Sequence, residues 1–397
     1  MPDFDRLATL RDDIAIVGVG ETDYPGDYAL ARRGERHHDA YGYAATAFRR
    51  ALDDCGLTRD DIDGLVAGPA TASERLGEVL GMDVRWADQA DAVQAVLKAA
   101  LAIHTGVAEC VALVYGNDQR TAGTAYGGHN AMGGERHLAY TYYAPWGLTS
   151  QGALYALLAN RYQAVTGLTA RELGQVAVAQ RAFARLNPNA VMRGPLDIDD
   201  YLSARYICEP LRLFDYCLIN DGGVALIVTT AERARRLGRP AVLLSGIGRA
   251  DHNRDATSLR PRLVDFYRPA QRKAAEQVYA MAGVGPSDVD VLQVYDSFSV
   301  HVPLALEGFG FCAEGDAGSL LADSGLGPGG RLPVNTAGGH LSGSYMQGWG
   351  HQAECVRQLR GEAGERQIPQ ARTAQYISDV AGKVTSLIYR AHRGVDA

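Results

Sequence analysis

Apolar positions along this chain follow two spacings in turn, one typical of helices and one typical of buried strands. Continuous apolar runs predict strands at residues 14–19 and 242–247. Helical spacing predicts helices over about 40–54 and 269–282, each followed by a glycine suited to a helix C-terminus. This alternation predicts an α/β protein whose sheets are covered by helices on both faces.

The chain contains an internal repeat. Residues 55–65 (CGLTRDDIDGL) align without a gap with residues 282–292 (AGVGPSDVDVL). Because each copy follows a predicted amphipathic helix and leads into an apolar strand, we interpret the chain as two duplicated α/β halves. We assign residues 1–239 to the N-terminal half and residues 240–397 to the C-terminal half.

Between about 117 and 213 the alternating pattern breaks down. Residues 122–134 are rich in glycine and lack strand periodicity, whereas 151–165 and 171–186 are predicted helices. We interpret about 117–213 as a loop-domain insertion into the first half. Composition alone leaves two interpretations equally open, a functional lid and a surface insertion.

Composition narrows the class of protein. With 397 residues and 47% hydrophobic content, the chain can bury a large core. A net charge of -7 with scattered Lys and Arg argues against nucleic-acid binding. No apolar run approaches the roughly 20 residues that cross a bilayer, and the first residues do not resemble a signal peptide. We therefore expect a soluble, cytoplasmic protein without a membrane span.

The sequence gives no sign of a metal or a tightly bound cofactor. The six cysteines lie far apart without a C-x-x-C pair, which argues against a disulfide framework and a zinc site. The ten histidines show no ligand spacing with nearby Cys, Asp or Glu. Gly18 and Gly20 follow a predicted strand, but Asp23 stands where a dinucleotide fingerprint needs its third glycine.

Two C-terminal segments carry the strongest chemical signal. Residues 335–348 read NTAGGHLSGSYMQG, and residues 295–298 read YDSF. Together they resemble the active-site loops of thiolases of the sterol-carrier-protein branch, which read N-x-x-G-G-x-x-x-x-G-H-P and H-D-C-F. In this sequence Tyr295 and Tyr345 stand at the two functional histidine positions. Further matches extend the resemblance over most of the chain, at residues 14–22, 55–63, 187–190, 209–211 and 220–228.

The resemblance implies an overall architecture. Thiolases form a five-layer αβαβα sandwich from two duplicated halves, with a loop domain that covers the acyl-CoA site. It therefore favours a lid for the insertion at about 117–213. It also implies a homodimer, and we expect the apolar strand at 110–115 to pair or pack across the two-fold axis.

The chain departs from thiolases at both catalytic cysteines. A thiolase holds its nucleophilic cysteine at the N-terminus of a buried helix, where the helix dipole lowers the thiol pKa and backbone amides can hold an oxyanion. When residues 102–111 are aligned with the family and the alignment is extended toward the N-terminus, Gln89 falls at the position of the nucleophilic cysteine. No cysteine lies between Cys55 and Cys110. The second cysteine is absent because none follows Cys355. We therefore exclude an acyl-enzyme at the two cysteine positions that thiolases use.

A phenol at each former histidine position suggests carbon–carbon bond cleavage without a covalent intermediate. Retro-aldol cleavage of a β-hydroxyacyl-CoA needs a group that removes the hydroxyl proton and donors that stabilise the thioester enolate. We predict Tyr295 and Tyr345 as the catalytic residues. Most of the 20 tyrosines should be packing residues, and a free tyrosine titrates near about 10, so neutral phenols would have to donate hydrogen bonds.

Six further residues are predicted to bind substrate or to support the tyrosines: Gln89, Asp296, Asn335, Gly338, Gly339 and His340. For Asp296 and Asn335, our default is a structural role through backbone hydrogen bonds. His340 is a weaker candidate, for which a surface or loop-packing position is the more common alternative.

Within the thiolase superfamily, the sequence looks most like the steroid side-chain aldolases of actinobacteria, the lipid-transfer-protein aldolases. That resemblance implies release of propionyl-CoA from a 17-hydroxy steroid 20-carboxyl-CoA, with coenzyme A as part of the substrate. It also implies a heterotetramer of a homodimer with an OB-fold, zinc-ribbon partner. Three alternatives remain: another bulky β-hydroxyacyl-CoA, a silent acyl-CoA-binding or scaffold subunit, and a disfavoured thiolase using Cys208 or Cys217.

Overall fold

The computed structural model describes residues 8–124, 144–148, 150–251, 268–322, 325–380 and 383–392. The strands of the first half are β1 (Ile14–Glu21), β2 (Gly64–Ala67), β3 (Trp86–Gln89), β4 (Cys110–Asn117) and, beyond the insertion, β7 (Gly222–Thr230). The helices around them are α1 (Tyr24–Arg32), α2 (Ala40–Cys55), α3 (Ser73–Leu80), α4 (Ala92–His104) and α8 (Ala231–Leu237).

The insertion and the second half complete the chain. The insertion contains α5 (Gln151–Thr166), α6 (Ala170–Leu186), α7 (Ile198–Ser203) and the paired strands β5 (Tyr206–Cys208) and β6 (Leu211–Arg212). The strands of the second half are β8 (Val242–Asp251), β9 (Val291–Val294), β10 (Thr373–Val380) and β11 (Lys383–Ala391). Its helices are α9 (Arg268–Ala282), α10 (His301–Gly308), α11 (Ala317–Ala322) and α12 (Trp349–Arg360).

The strands of both halves join into one sheet of nine strands in the order β3-β2-β4-β7-β1-β8-β11-β10-β9. The halves meet where β1 pairs with β8 over a short antiparallel stretch, Ala15 with Leu243 and Ile16 with Val242. At the outer ends the pairing is parallel, between β2 and its neighbours β3 and β4 and between β9 and β10. The sheet therefore holds two α/β units that share a central seam.

Helices and sheet form the five predicted layers. Helix α2 packs on the outer face of β1, β4 and β7, and α9 packs on the outer face of β8 and β11. Between the two halves of the sheet lie α4 and α12, each of which contacts strands of both halves. The largest buried cluster lies in this central layer and includes both predicted catalytic tyrosines. The predicted αβαβα architecture is thus confirmed.

The two copies of the internal repeat fold alike. Helix α2 ends at Gly56, whose φ is +71°, and the chain passes through a 3-10 turn, Arg59–Asp61, into β2. Helix α9 ends at Gly283, whose φ is +64°, and a 3-10 turn, Pro286–Asp288, leads into β9. Glycine adopts this left-handed conformation without steric strain. The division of the chain at 239 and 240 stays a prediction.

An aspartate repeats with the fold. The Asp63 carboxylate accepts a hydrogen bond from the backbone N–H of Cys110 at 2.8 Å, at the start of β4. At the matching position, the Asp290 carboxylate accepts one from the N–H of Thr373 at 2.9 Å, at the start of β10. Asp63 directly precedes β2 and holds the start of β4, the parallel neighbour of β2. Asp290 directly precedes β9 and holds the start of β10, the parallel neighbour of β9.

The predicted helices of the insertion are found within a residue or two of their expected bounds. Ser150 caps α5 by accepting a hydrogen bond from Gly152 N at 3.1 Å. Thr169 and Glu172 form a capping box at the start of α6, in which Thr169 N donates to Glu172 at 2.7 Å. Most of the predicted glycine-rich segment, residues 125–134, lies outside the described residues.

The predicted subunit contact through residues 110–115 is wrong. Strand β4 lies inside the sheet between β2 and β7, and all eight of its residues are buried within the chain. The strand at this edge of the sheet is β3, in which partly buried and exposed residues alternate. An apolar run shows that a strand is buried but not which neighbours bury it. In the described ranges, no helix has the length and apolar character needed to cross a membrane.

Candidate active site

The two predicted catalytic tyrosines meet at one end of the central layer. Tyr295 directly follows β9, and its N–H donates to Ile377 O of β10 at 2.8 Å. Tyr345 is fixed from the first half, because its N–H donates to Asn220 Oδ1 at 2.7 Å. The two phenolic oxygens lie 3.2 Å apart, and the side chains are 7% and 9% exposed. The carboxyl ends of neighbouring parallel strands commonly carry the functional groups of α/β proteins.

The turn that precedes Tyr345 is built by Asn335 and two glycines. Asn335 has a φ of +55°, and its side chain extends the edge of β9 by accepting from Val294 N at 2.7 Å and donating to Val294 O at 3.0 Å. Gly338 and Gly339 have φ values of +97° and +57°, and a Cβ on Gly339 would collide with the Asp296 carboxylate. These three residues shape the π-helical turn Gly339–Gly343.

Asp296 is fully buried and ties the turn to α12. Its carboxylate accepts from the backbone N–H of His340 at 2.9 and 3.0 Å. It also contacts Nε2 of His351, on α12, at 2.9 Å. Because the carboxylate is satisfied by these donors, its charge orients the loop beside the tyrosines.

His340 is a neutral ring packed between the two tyrosines. Its ring centre lies 4.9 Å from that of Tyr295 and 4.8 Å from that of Tyr345, and the side chain has no exposed surface. The N–H of Gly348 donates to Nε2 at 3.0 Å, so the ring proton lies on Nδ1. Burial lowers the pKa of His340 well below its ordinary value, and the nearby His351 lowers it further. The surface position considered for His340 is therefore wrong.

Asp296, His340 and His351 also form the one group, among the described residues, whose ligand atoms are close enough to hold a metal ion. The hydrogen bonds oppose that role. Nε2 of His340 accepts from Gly348, and its Nδ1 carries the proton, 3.3 Å from Asp296 Oδ1 but outside hydrogen-bond geometry. Nε2 of His351 is already paired with Asp296. The three side chains are better described as a hydrogen-bonded support.

Cys217 packs against the same central cluster as the tyrosines. Burial, together with the negative charge of Asp296, raises the pKa of its thiol to about 12. At neutral pH the thiol therefore stays protonated and lacks the thiolate character of a nucleophile. This environment opposes the alternative in which Cys217 forms an acyl-enzyme.

Gln89 does not lie at the N-terminus of a buried helix, the position that the alignment predicted for it. It ends β3, its side chain is exposed, and its Nε2 donates to Thr71 O at 2.7 Å. The helix with the expected buried N-terminus is α4, which begins at Ala92 after the cap residue Asp91. The turn between β3 and α4 displaces Gln89 from the helix start, and counting along an ungapped alignment did not reveal that turn. Ala92 is the buried residue at this helix start.

Three functional candidates were missed by the sequence. His351 holds Asp296, Asn220 holds Tyr345, and His301 packs edge-on against Tyr295 with ring centres 5.8 Å apart. Burial lowers the pKa of His301 to about 3, so this ring is also neutral. None of the three stands in a recognisable ligand or catalytic spacing, so no local signal identified them.

Known proteins resemble the chain over nearly its whole length. The family described as thiolase C-terminal domain-like matches residues 252–387. The chain is 34% identical over 371 residues to the steroid side-chain-cleaving aldolase of Thermomonospora curvata, which covers 89% of this chain and 92% of that protein. It is 34% identical over 375 residues to the 17-hydroxy-3-oxo-4-pregnene-20-carboxyl-CoA lyase of Mycobacterium tuberculosis, with 89% and 92% covered.

A solved structure agrees with these relatives. The Ltp2-ChsH2(DUF35) aldolase has a TM-score of 0.86 to this chain at 32% identity, over 97% of this chain and 100% of that one. The resemblance inferred from the two C-terminal segments is confirmed, and so is the thiolase fold. The chain belongs to the thiolase superfamily, in the branch that contains the steroid side-chain-cleaving aldolases.

Proposed function

We propose that the protein is a carbon–carbon lyase that cleaves a 17-hydroxy steroid 20-carboxyl-CoA by a retro-aldol reaction. The products are a 17-ketosteroid and propionyl-CoA, and coenzyme A enters only as part of the substrate. The observation that carries the proposal is the 3.2 Å contact between the buried phenolic oxygens of Tyr295 and Tyr345. The names of two relatives of similar length, a steroid side-chain-cleaving aldolase and a steroid carboxyl-CoA lyase, support it.

The two phenols form a proton relay that begins and ends uncharged. One phenolic oxygen takes the proton of the substrate hydroxyl and passes its own proton to the other phenol. The electrons of the O–H bond form the ketone, and those of the broken carbon–carbon bond form the thioester enolate. As it receives that proton, the second phenol releases its own to the α-carbon, so neither phenol carries two protons and the product is propionyl-CoA. Because each phenol gives and takes one proton, catalysis needs no free phenolate, whose formation is unfavourable at pH 7.

The surroundings of the tyrosines suit such a relay. His340 lies against both rings as a neutral imidazole, and its Nε2 is occupied by the N–H of Gly348. It therefore does not compete for the protons that the phenols exchange. The Asp296 carboxylate is satisfied by His340 N and His351, so it orients the loop without taking the proton itself. A buried site of this kind strengthens each hydrogen bond to the reacting atoms.

The proposal extends to assembly. We propose a homodimer that binds an OB-fold, zinc-ribbon partner in a heterotetramer, with the partner near the insertion at about 117–213. The name of the solved Ltp2-ChsH2(DUF35) aldolase pairs that relative with a DUF35 protein. Strand β3 supports a dimer, because it lies at the edge of the sheet and offers its outer backbone groups to a second strand. Light scattering after size-exclusion chromatography tests the stoichiometry, and a chain that is monomeric at micromolar concentration contradicts the dimer.

Product analysis tests the reaction. The protein, alone and with a DUF35-type partner, is mixed with a panel of β-hydroxyacyl-CoA thioesters that includes the 17-hydroxy steroid 20-carboxyl-CoA. We expect propionyl-CoA and the 17-ketosteroid by mass spectrometry. Cleavage of another bulky thioester in preference would correct the substrate. Binding without cleavage of any thioester would instead support a silent acyl-CoA-binding or scaffold subunit, and full activity without the partner would contradict the partner requirement.

A further inference from the structure

A third phenol lies in the same buried cluster as the two catalytic candidates. Tyr376, on β10, is fully buried, and its phenolic oxygen makes no hydrogen bond to the described residues. The Ser378 hydroxyl, two residues along the same strand, lies close enough to influence it but outside hydrogen-bond geometry. A buried hydroxyl without a hydrogen-bond partner destabilises the folded protein. Its presence therefore calls for a ligand that accepts its hydrogen bond.

The position of Tyr376 connects it to the catalytic pair. Its strand pairs with β9, and the residue after it, Ile377, accepts the hydrogen bond from Tyr295 N at 2.8 Å. The ring of Tyr376 lies 5.7 Å from that of His351. Tyr376 thus lies on the neighbouring strand opposite Gln293, close to the carboxyl end of β9, which Tyr295 follows.

The phenolic oxygen of Tyr376 lies beside the start of α4. A Cβ added to Gly348 would collide with this oxygen and would lie 3.4 Å from the Cβ of Ala92, the first residue of α4. The absence of a side chain at Gly348, whose φ is +86°, therefore provides the space that the Tyr376 hydroxyl occupies. The Asp91 side chain caps α4 by accepting from Gln94 N at 3.1 Å. The amides of the first helical residues have no partner inside the helix, and the helix dipole favours negative charge there.

We propose that Tyr376 is a further catalytic residue, which donates a hydrogen bond to the thioester oxygen as the enolate forms, with the N-terminus of α4 beside it. The inference rests on the proposed retro-aldol function. It fills a gap in that mechanism, because the hydroxyls of Tyr295 and Tyr345 are occupied with the moving proton and the enolate oxygen needs its own donor. Tyr376 transfers no proton in this role.

The buried position of Tyr376 suits a donor. Burial raises the pKa of its phenol well above the ordinary value, so the group keeps its proton. A neutral phenol in an enclosed site donates a strong hydrogen bond to a developing oxyanion without reorganising. The same enclosure makes Tyr376 unsuited to act as a base.

The test follows enolate formation in both directions of the reaction. The protein with its DUF35-type partner is incubated with propionyl-CoA and the 17-ketosteroid in D₂O, and exchange of the α-protons is followed by mass spectrometry alongside steroid thioester cleavage. For Tyr376→Phe we expect both rates to fall by about 10²–10³-fold, as on loss of an oxyanion donor. The melting temperature should stay the same or rise, because the lost hydroxyl has no hydrogen-bond partner among the residues that the structure describes.

Tyr389→Phe is the matched control. Tyr389 is as buried as Tyr376 and lies on the adjacent strand β11, but its hydroxyl donates to Gln352 Oε1 at 2.9 Å. We expect it to lose stability and keep its exchange rate. Wild-type exchange and cleavage that persist in Tyr376→Phe would overturn this inference and leave the proposed function intact. A wild-type complex that neither exchanges nor cleaves would overturn the proposed function, and the role of Tyr376 with it.

Discussion

In the first half of the molecule, α2 passes through Gly56 and a 3-10 turn into β2, and the chain then leaves the sheet toward α3. In the second half, α9 passes through Gly283 and the same kind of turn into β9, and the next residues are Tyr295 and Asp296. The scaffold is duplicated, but the chemistry is not. Both candidate tyrosines and Asp296 lie in the second half, whereas the first half holds Tyr345 in place through Asn220.

This comparison separates residues that maintain the fold from residues that react. Repeat positions such as Asp63 and Asp290 make matching backbone contacts in the two halves. The tyrosines and Asp296 have no matching contacts in the first half within the part of the chain that the structure describes. Substitutions at repeated positions should therefore affect stability in both halves alike, and substitutions at unrepeated positions should affect turnover.

The largest effect is expected from removal of either relay hydroxyl. Tyr295→Phe and Tyr345→Phe should each lower turnover by about 10²–10³-fold with the fold intact, because the proton path between the phenols is broken. Steady-state kinetics and circular dichroism measure the two properties. Tyr43→Phe, at a buried tyrosine of α2 in the first half, is the control and should keep wild-type turnover. Near-wild-type turnover in one of the two site variants would remove that residue from the relay.

The next effect concerns the buried carboxylate. Asp296→Asn keeps the shape of the side chain but removes the charge that accepts from His340 N and His351 Nε2. We expect a loss of roughly 2–3 kcal/mol in the free energy of unfolding. Turnover should fall as well, because the loop that leads to Tyr345 is less firmly held. Urea unfolding and kinetics of the same preparation test this, and an unchanged midpoint would show that the charge does not hold the turn.

Buried histidines of the second half should make the fold sensitive to acid. Burial lowers the pKa of His301 to about 3, whereas in the unfolded chain the ring titrates near 6.5. Between these values only the unfolded chain binds the proton, so stability falls as pH decreases from about 6.5 toward 3. The slope is at most about 1.4 kcal/mol per pH unit for one histidine.

Urea midpoints between pH 7 and pH 4 measure that slope. His301→Gln should reduce it, because one buried ring that resists protonation is gone. Equal slopes in the wild type and His301→Gln would contradict the lowered pKa of His301 as a source of the acid sensitivity.

The duplicated aspartates should give a smaller and symmetric effect. Asp63→Asn and Asp290→Asn each weaken a charged acceptor for the backbone of the next parallel strand. We expect each variant to lose roughly 1–2 kcal/mol of stability and to keep wild-type turnover. Paired urea titrations decide the matter. A loss of turnover in one variant alone would show that the two aspartates do not have equivalent roles in the two halves.

The smallest effect is expected from the thiol beside the site. Because burial and Asp296 keep the Cys217 thiol protonated, Cys217→Ala should retain most of the wild-type turnover. Alkylation by a thiol reagent followed by mass spectrometry and activity assay provides a second measurement. Stoichiometric inactivation at Cys217, prevented by substrate and absent in Cys217→Ala, would bring back a mechanism through an acyl-enzyme.

The sequence by itself predicted most of the helices and strands and the pair of tyrosines that the structure brings together. Periodicity, caps and left-handed glycines act over a few residues, so α5, α6 and both copies of the repeat were predicted nearly to their ends. Tyr295 and Tyr345 were found because each stands inside a local motif. The structure brings their phenolic oxygens together, although the two residues lie far apart in the chain.

Only the tertiary structure decided which residues surround them. Gln89 was misplaced, and the strand at 110–115 was assigned to a subunit contact, because a turn between elements and the order of strands in a sheet depend on distant parts of the chain. The protonation of His340 depends on the amide of Gly348, and the free hydroxyl of Tyr376 depends on the space that this glycine leaves. Burial is a property of the folded chain, and it is burial that sets the pKa values in this pocket.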